Sequence, residues 1–144
     1  MLVHQILNSK SVGGVFTIPP DTSITAAVEM LSSKRIGALI VSDDGDVPTG
    51  ILSERDIVRE LGRRGIGCLK ETVGDMMTRD LVTCTSHDTA DQVLSRMTDG
   101  RFRHMPVMDD NKMVGLISIG DVVKARLSEL AMERDALEGM VMGH

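Results

Sequence analysis

The sequence contains two copies of a motif that places a serine three residues before an aspartate. The first copy, GILSERD, carries Ser53 and Asp56, and the second, GLISIGD, carries Ser118 and Asp121. Each copy joins an apolar run to a helical pattern, so each serine is predicted to begin a helix. The free N–H groups and positive dipole end of a helix N-terminus bind anions, and a serine hydroxyl adds a donor. An aspartate one turn later can accept hydrogen bonds from two adjacent hydroxyl groups, such as those of a ribose.

The same spacing also has a purely structural explanation. Ser-x-x-Asp before an apolar helix is typical of a capping box, in which the two side chains satisfy backbone N–H groups at the helix start. Capping and the binding of a nucleotide-like ligand use the same geometry. The motif by itself leaves both interpretations open.

Patterns typical of enzymes are missing from the sequence. It contains neither GxxxxGK[ST] nor GxGxxG, so neither a P-loop nor a dinucleotide-binding fingerprint is predicted. The four histidines lack the spacing of a zinc site: His4, His87, His104 and His144. We therefore predict no catalytic residues, no catalytic cofactor and no metal site.

The two motifs lie in two copies of a longer repeat. The segment that starts at Thr17 aligns with the segment that starts at Thr83, with one extra residue in the first copy's turn. Hydrophobic periodicity and turn residues predict the order β-α-β-β-α in each copy. In the first copy the predicted elements are strand 16–18, helix 24–34, strands 38–41 and 50–52, and a helix from about 55 to 61, which Gly62 and Gly65 end. In the second copy they are strand 81–84, helix 89–98, strands 105–108 and 114–117, and a helix from about 120 onward.

One copy of about 46 residues can bury only a thin core, so the two halves are expected to pack together with approximate two-fold symmetry. The predicted fold class is mixed α/β (α+β), with small mixed sheets flanked by helices. Short lead-in helices are predicted at 3–8 and within 65–78. The predicted division is repeat 1 with its lead-in helix at 1–64, a linker and lead-in helix at 65–78, repeat 2 at 79–130 and a C-terminal helical extension at 131–144.

An apolar stripe continues along the last helix. Two interpretations stay open: the helix packs on its own module, or it forms a contact between two copies. Arg134 interrupts the stripe, whose apolar members are Val123, Leu127, Leu130, Leu137 and Val141.

Composition narrows the classes of partner. The 144 residues include 16 Lys+Arg and 21 Asp+Glu, a formal net charge of −5, which argues against general binding to nucleic acid. No apolar run approaches the roughly 18 residues that cross a membrane. The N-terminus does not resemble a secretory signal, so a cytoplasmic protein is expected.

Cys68 and Cys84 are predicted to be small side chains at buried or half-buried positions. The 11 methionines are predicted to fill gaps in the core, and the alternative is that they form a Met-rich surface.

The duplicated unit, the paired GILSERD and GLISIGD motifs and the RHMPV run at 103–107 resemble tandem CBS domains, the pair called a Bateman module. The resemblance covers roughly residues 1–130, so no attached catalytic domain is expected. It implies a disc-like module with clefts between the repeats. In this family such clefts bind adenosine-containing ligands: AMP, ADP or ATP, and in some members S-adenosylmethionine or a dinucleotide such as NAD(H).

The resemblance also implies roles for the motif residues. By matching position, Asp56 and Asp121 would hold ribose hydroxyl groups at two related sites. Ser53 and Ser118 would contact phosphate.

The two sites are not expected to be equal. Arg55 adds a guanidinium group at the first site, where the second motif has Gly120. The resemblance implies that Arg103 and His104 reach the phosphate of the Asp56 site; their alternative is to be solvated charges beside a strand end. Because the first repeat lacks these groups, we expect weaker polyphosphate binding at the Asp121 site.

Adenine is implied to stack among apolar side chains of the first and middle strands of each repeat, and on Ile51 of the third strand in the first repeat. Simple core packing is the alternative for each of these residues. They are Thr17, Ile18, Ala38, Leu39 and Ile51 in the first repeat, and Thr83, Cys84, Met105 and Pro106 in the second.

Three functions follow. The favoured one is an energy- or redox-sensing regulatory module, in which an adenine nucleotide between the repeats shifts two modules of a homodimer and modulates an unidentified partner. The second is a ligand-free interaction or dimerisation module that docks through its C-terminal helix. The third is an enzyme of unrecognised type.

Overall fold

The structure, a computed structural model, describes residues 1–10 and 15–142. Residues 11–14 of the predicted first repeat, and residues 143–144 of the predicted C-terminal extension with His144, lie outside the described residues. The described elements are α1 (Val3–Ser9), β1 (Thr17–Ile18), α2 (Ile24–Lys34), β2 (Ala38–Val41), β3 (Gly50–Ser53), α3 (Glu54–Arg64), a 3₁₀ helix (Ile66–Lys70), α4 (Val73–Met76), α5 (Ala90–Gly100), β4 (His104–Asp109), β5 (Lys112–Ser118) and α6 (Ile119–Val141).

The strands form two small sheets. In the first, β1 runs parallel to β2, and β2 pairs antiparallel with β3. In the second, β4 and β5 form an antiparallel hairpin with an irregularity between Val107 and Met108. Helices flank both sheets, so the predicted mixed α/β class is confirmed.

The predicted strand at 81–84 is wrong. Cys84 forms a single parallel bridge with Val107 in place of a strand. Two backbone hydrogen bonds join it to β4: its N–H donates to Pro106 over 3.0 Å, and its carbonyl accepts from Met108 over 2.8 Å. The flanking Thr83 and Thr85 are exposed, so nothing apolar extends the pairing.

Most predicted helices are confirmed, and their first turns explain why. Side chains of Ser23 and Thr89 accept hydrogen bonds from backbone N–H groups three residues ahead, which starts α2 and α5. Of the two glycines predicted to end α3, Gly65 is confirmed and Gly62 is wrong. The helix continues to Arg64, whose guanidinium pairs with Glu60 in the same helix, and it ends at Gly65, where φ is 77°.

Each repeat has its own hydrophobic core, and the lead-in segments are exchanged between the two cores. The sequence groups α1 with the first repeat, but its buried Val3 and Ile6 pack in the core of the second. The linker that precedes the second repeat instead places Val73 and Met76 in the core of the first. Leu2 also pairs with Thr89 across this boundary, which ties the N-terminus to α5.

The last helix is the longest, and much of it projects from the module. Val122 and Ala125 near its start are buried in the second core. Among the described residues, the structure has no helix with the length and apolar character needed to cross a lipid bilayer.

Candidate functional site

Both Ser-x-x-Asp motifs form capping boxes. At the start of α3, the Ser53 side chain accepts from Asp56 N–H over 3.3 Å, and Asp56 Oδ2 accepts from Ser53 N–H over 3.0 Å. At the start of α6, Ser118 accepts from Asp121 N–H over 3.1 Å, and Asp121 Oδ2 accepts from Ser118 N–H over 2.9 Å. The capping interpretation is therefore realised at both positions. A carboxylate oxygen accepts more than one hydrogen bond, so capping leaves acceptor capacity for a ligand.

Ser53 and Asp56 line a cavity of about 670 Å³ between the two repeats. Ile51 contributes an apolar wall from β3, and Arg55 and Arg59 line it from the first two turns of α3. Asp56 is buried, and its Oδ1 accepts from Arg59 over 3.1 Å. This Asp56 cavity is thus lined by a helix N-terminus, two carboxylates (Glu54 and Asp56) and two arginines of the first repeat.

The second repeat supplies further basic groups to the Asp56 cavity. Arg101, Arg103 and His104 all line it. Arg101 ends α5 in the left-handed conformation with φ 58°, which turns the chain so that the residues before β4 face the first repeat. The structure therefore brings Arg103 and His104 to the cavity of Asp56. Their contact with a phosphate, which the family resemblance implies, stays a prediction.

The surroundings of Asp121 differ from those of Asp56, because the Lys10 side chain contacts Asp121. Lys10 Nζ lies 3.0 Å from Asp121 Oδ2 and donates to the Leu116 carbonyl over 2.9 Å. Burial by itself raises the pKa of Asp121, but the hydrogen bond from Ser118 N–H and the Lys10 ammonium outweigh it, so the net pKa is lowered. The second carboxylate is therefore ionised and already paired with an ammonium group of its own chain.

Ser118 and Asp121 line different cavities. Ser118 lines one of about 260 Å³ with Ala38, whereas Asp121 lines a neighbouring one of about 440 Å³, and Lys10 lines both. We call the first of these the Ser118 cavity. That Ser118 and Asp121 serve one ligand site therefore stays a prediction.

The Ser118 cavity is also more basic than the sequence indicates. Lys34 and Arg35 line it together with Lys10. These groups come from the end of α2 and from the segment after α1, not from the strand that matches RHMPV. Although Gly37 and Ala38 lack charges, the cavity has cations that could hold an anion.

His104 lies between the two clefts and lines both the Asp56 cavity and the Ser118 cavity. Burial lowers its pKa most. Among charged neighbours, Asp121 and Glu54 raise the pKa, and Lys10 and Arg103 lower it. The net lowering makes the imidazole mainly neutral at neutral pH.

Comparison with known proteins identifies the family. Residues 6–63 and 73–128 each match the CBS domain. The chain belongs to the CBS domain family. It is 35% identical over 127 residues to the mitochondrial CBS domain-containing protein CBSX3 of Arabidopsis thaliana, an alignment that covers 85% of this chain and 62% of that protein.

Solved CBS structures share the fold. A CBS-domain containing protein of Agrobacterium tumefaciens is 44% identical, with a TM-score of 0.82, over 88% of this chain and 99% of that one. The CBS domain pair of the protein MJ0100, in complex with 5'-methylthioadenosine and S-adenosyl-L-methionine, is 25% identical with a TM-score of 0.77, over 90% of this chain and 98% of that one. Two tandem CBS repeats are therefore the architecture of this chain.

Of the residues assigned to adenine, Ala38 and Ile51 line the two clefts of the CBS pair. Leu39 and Met105 are fully buried in the structure, the first in the core of one CBS repeat and the second in the core of the other. Core packing accounts for both without a ligand. The remaining residues do not line the Asp56 or Ser118 cavity: Thr17, Ile18, Thr83, Cys84 and Pro106.

Sequence reasoning missed three basic residues around the CBS clefts. Arg59 follows Asp56 by three residues on α3, a spacing that could have identified it. Lys34 could have been found from its place beside Arg35, the counterpart of Arg101. Lys10 has no equivalent signal, because it lies before the first aligned repeat and reaches Asp121 only through the exchange of α1.

Proposed function

We propose that this CBS pair is a regulatory module that binds an adenine nucleotide in the Asp56 cavity. One observation carries the proposal: a single cavity of about 670 Å³ joins the Ser53–Asp56 helix start of one repeat to Arg101, Arg103 and His104 of the other. A phosphate group needs such donors and cations, and a ribose needs the carboxylate. A ligand held between the repeats would also couple their positions, as a sensor requires.

Each proposed contact follows from the geometry. Phosphate would lie at the N-terminus of α3, between Arg55 and the basic groups of the second repeat. The ribose hydroxyl groups would donate to Asp56, whose oxygens keep acceptor capacity beside Ser53 and Arg59. The adenine ring would pack on Ile51, which is half-buried at the cavity wall.

The class of ligand draws support from the MJ0100 CBS pair, which is described with two adenosine-containing molecules. For this chain we propose AMP, ADP or ATP, because four arginines line the cavity and favour phosphate. NAD(H) and S-adenosylmethionine are the alternative ligands. We further propose that the module is a binding protein and not an enzyme, that it acts as a homodimer, and that ligand binding modulates a separate protein partner.

Calorimetric titration of nucleotide-free protein with AMP, ATP, NADH and S-adenosylmethionine tests the proposal. We expect saturable binding of AMP or ATP that weakens about ten-fold or more in Asp56→Asn, since hydrogen bonds to a charged group contribute about 1.5–3 kcal/mol. Asp75→Asn is the matched control, because Thr72 and Asp75 form the same capping box at α4 away from the cavity.

The opposite result is equally clear. If folded protein binds none of the four ligands, or if Asp56→Asn and Asp75→Asn weaken binding equally, the nucleotide site is rejected. Absence of binding would instead favour the ligand-free interaction module, for which the exposed apolar stripe of α6 is the supporting observation.

A further inference from the structure

We infer that α6 is a self-pairing surface, on which the α6 helix of a second copy packs in antiparallel orientation. The inference specifies the homodimer of the proposed function and so rests on that part of it. It concerns the 23-residue helix Ile119–Val141, which is about 34 Å long, far longer than its counterpart α3.

The apolar stripe of α6 faces away from its own module. Val122 and Ala125 are buried in the second core, and the nearby Glu129 accepts from the N-terminal amino group over 2.6 Å. At 100° per residue, the stripe is centred roughly 125° around the helix from these contacts. Its members are from 42% to 87% exposed: Val123, Leu127, Leu130, Leu137 and Val141. The helix therefore does not pack on its own module along this face.

The spacing of the stripe is that of a coiled-coil seam. With Arg134 included, its members are separated by four, three, four, three and four residues. This series is the same from either end, so two antiparallel copies meet in register. Val123 would face Val141 of the second copy, and Leu127 would face Leu137. Leu130 would face Arg134, whose long apolar stem can cover the leucine while its guanidinium reaches solvent.

Charge decides between the two orientations. Lys124 and Glu138 flank the seam on the same side, and the antiparallel register places Lys124 of one copy beside Glu138 of the other, twice in each pair. A parallel pair would instead place Arg134 against Arg134 within the seam, a like-charge contact in a desolvated position. A second copy in antiparallel orientation is thus the partner that fits this surface.

Disulfide trapping of the full chain tests the orientation. The double variant Val123→Cys/Val141→Cys should form a covalent dimer under mild oxidation, because each new thiol faces the other one across the pair. Each single variant should stay uncrosslinked. The wild-type chain is the control, since its Cys68 and Cys84 are buried. A parallel pair would crosslink the single variants and would overturn the inference.

Charge reversal gives an independent readout by sedimentation equilibrium. Lys124→Glu should weaken the dimer several-fold, and adding Glu138→Lys should restore it. If wild-type protein is dimeric but Lys124→Glu does not weaken the dimer and Glu138→Lys does not restore it, the α6 inference fails. The nucleotide site is then still tested separately by calorimetry. If wild-type protein is monomeric at 100 µM (about a hundred times a micromolar dissociation constant), the homodimer proposal fails with it.

Discussion

The ammonium group of Lys10 lies 3.0 Å from Oδ2 of Asp121, and this ion pair links the segment after the first helix of the chain to the start of the last. The same ammonium donates to the Leu116 carbonyl, 106 residues away in sequence. The pair makes the two clefts of the module unequal. Asp56 pairs with Arg59 of its own helix and lines the cavity between the repeats, whereas Asp121 pairs with Lys10, which is far away in sequence.

The Lys10–Asp121 pair should contribute to stability in a pH-dependent way. Lys10→Met is expected to lower the free energy of unfolding by about 1 kcal/mol at pH 7, since both groups are partly exposed. The pKa of Asp121 is lowered in the folded state, so the contribution is complete above the ordinary aspartate pKa and is lost as pH falls through the lowered value. Urea unfolding of the wild-type chain and of Lys10→Met, at pH 7 and at pH 2, measures how much unfolding free energy the variant loses at each pH. An equal loss at the two pH values would contradict an ion pair as the source of the stability.

Arg103 should distinguish phosphorylated ligands from adenosine. Arg103→Gln is expected to weaken ATP binding about ten-fold and to leave adenosine binding within about two-fold, because only the phosphates carry charge for the guanidinium to pair with. Arg63→Gln is the control, since Arg63 is an exposed arginine of α3 that pairs with Glu60 and does not line the cavity. Equal weakening of both ligands by Arg103→Gln would assign Arg103 a structural role.

His104 should make phosphate binding depend on pH. Burial lowers the pKa of the free imidazole, with Lys10 and Arg103 adding to the lowering and Asp121 and Glu54 opposing it. A bound phosphate favours the charged form and raises the pKa, so binding takes up a proton, and affinity should increase several-fold as pH falls from 8 to 6.

Calorimetry in two buffers of different ionisation enthalpy reports this proton uptake directly. Phosphate titrates in the same range, so His104→Gln provides the correction for the ligand's own proton. If the variant takes up as many protons as the wild-type chain, His104 does not contact the phosphate.

Gly50 should tolerate a methyl group less well than its counterpart Gly115. A Cβ at Gly50 would lie 3.0 Å from the Thr78 carbonyl and would also clash with the Met77 side chain, whereas one at Gly115 meets only the flexible end of Leu7. Gly50→Ala is expected to cost about 1–3 kcal/mol of unfolding free energy and Gly115→Ala less. Thermal unfolding of both variants checks the order, and equal losses would contradict it.

Local patterns made much of the fold predictable. The predicted ranges of α2 and β2 match the structure residue for residue, because caps, periodicity and turn residues act within a few positions along the chain. The internal repeat indicated two similar halves. The paired motifs and the family resemblance pointed to Ser53 and Asp56 and to three of the basic groups that line their cavity: Arg55, Arg103 and His104.

The tertiary structure decided which segments meet. The sequence could not show that α1 packs on the second repeat, since the apolar face of a short helix fits either core equally well by pattern. That exchange brings Lys10 to Asp121 and to the Ser118 cavity, which Lys34 and Arg35 line from the end of α2. Charge pairing between residues far apart in sequence depends on packing geometry, and no local spacing records it. The repeat, its helix starts and the unequal basic residues of the two motifs are therefore properties of the sequence, whereas the Lys10–Asp121 pair arises only in the packed fold.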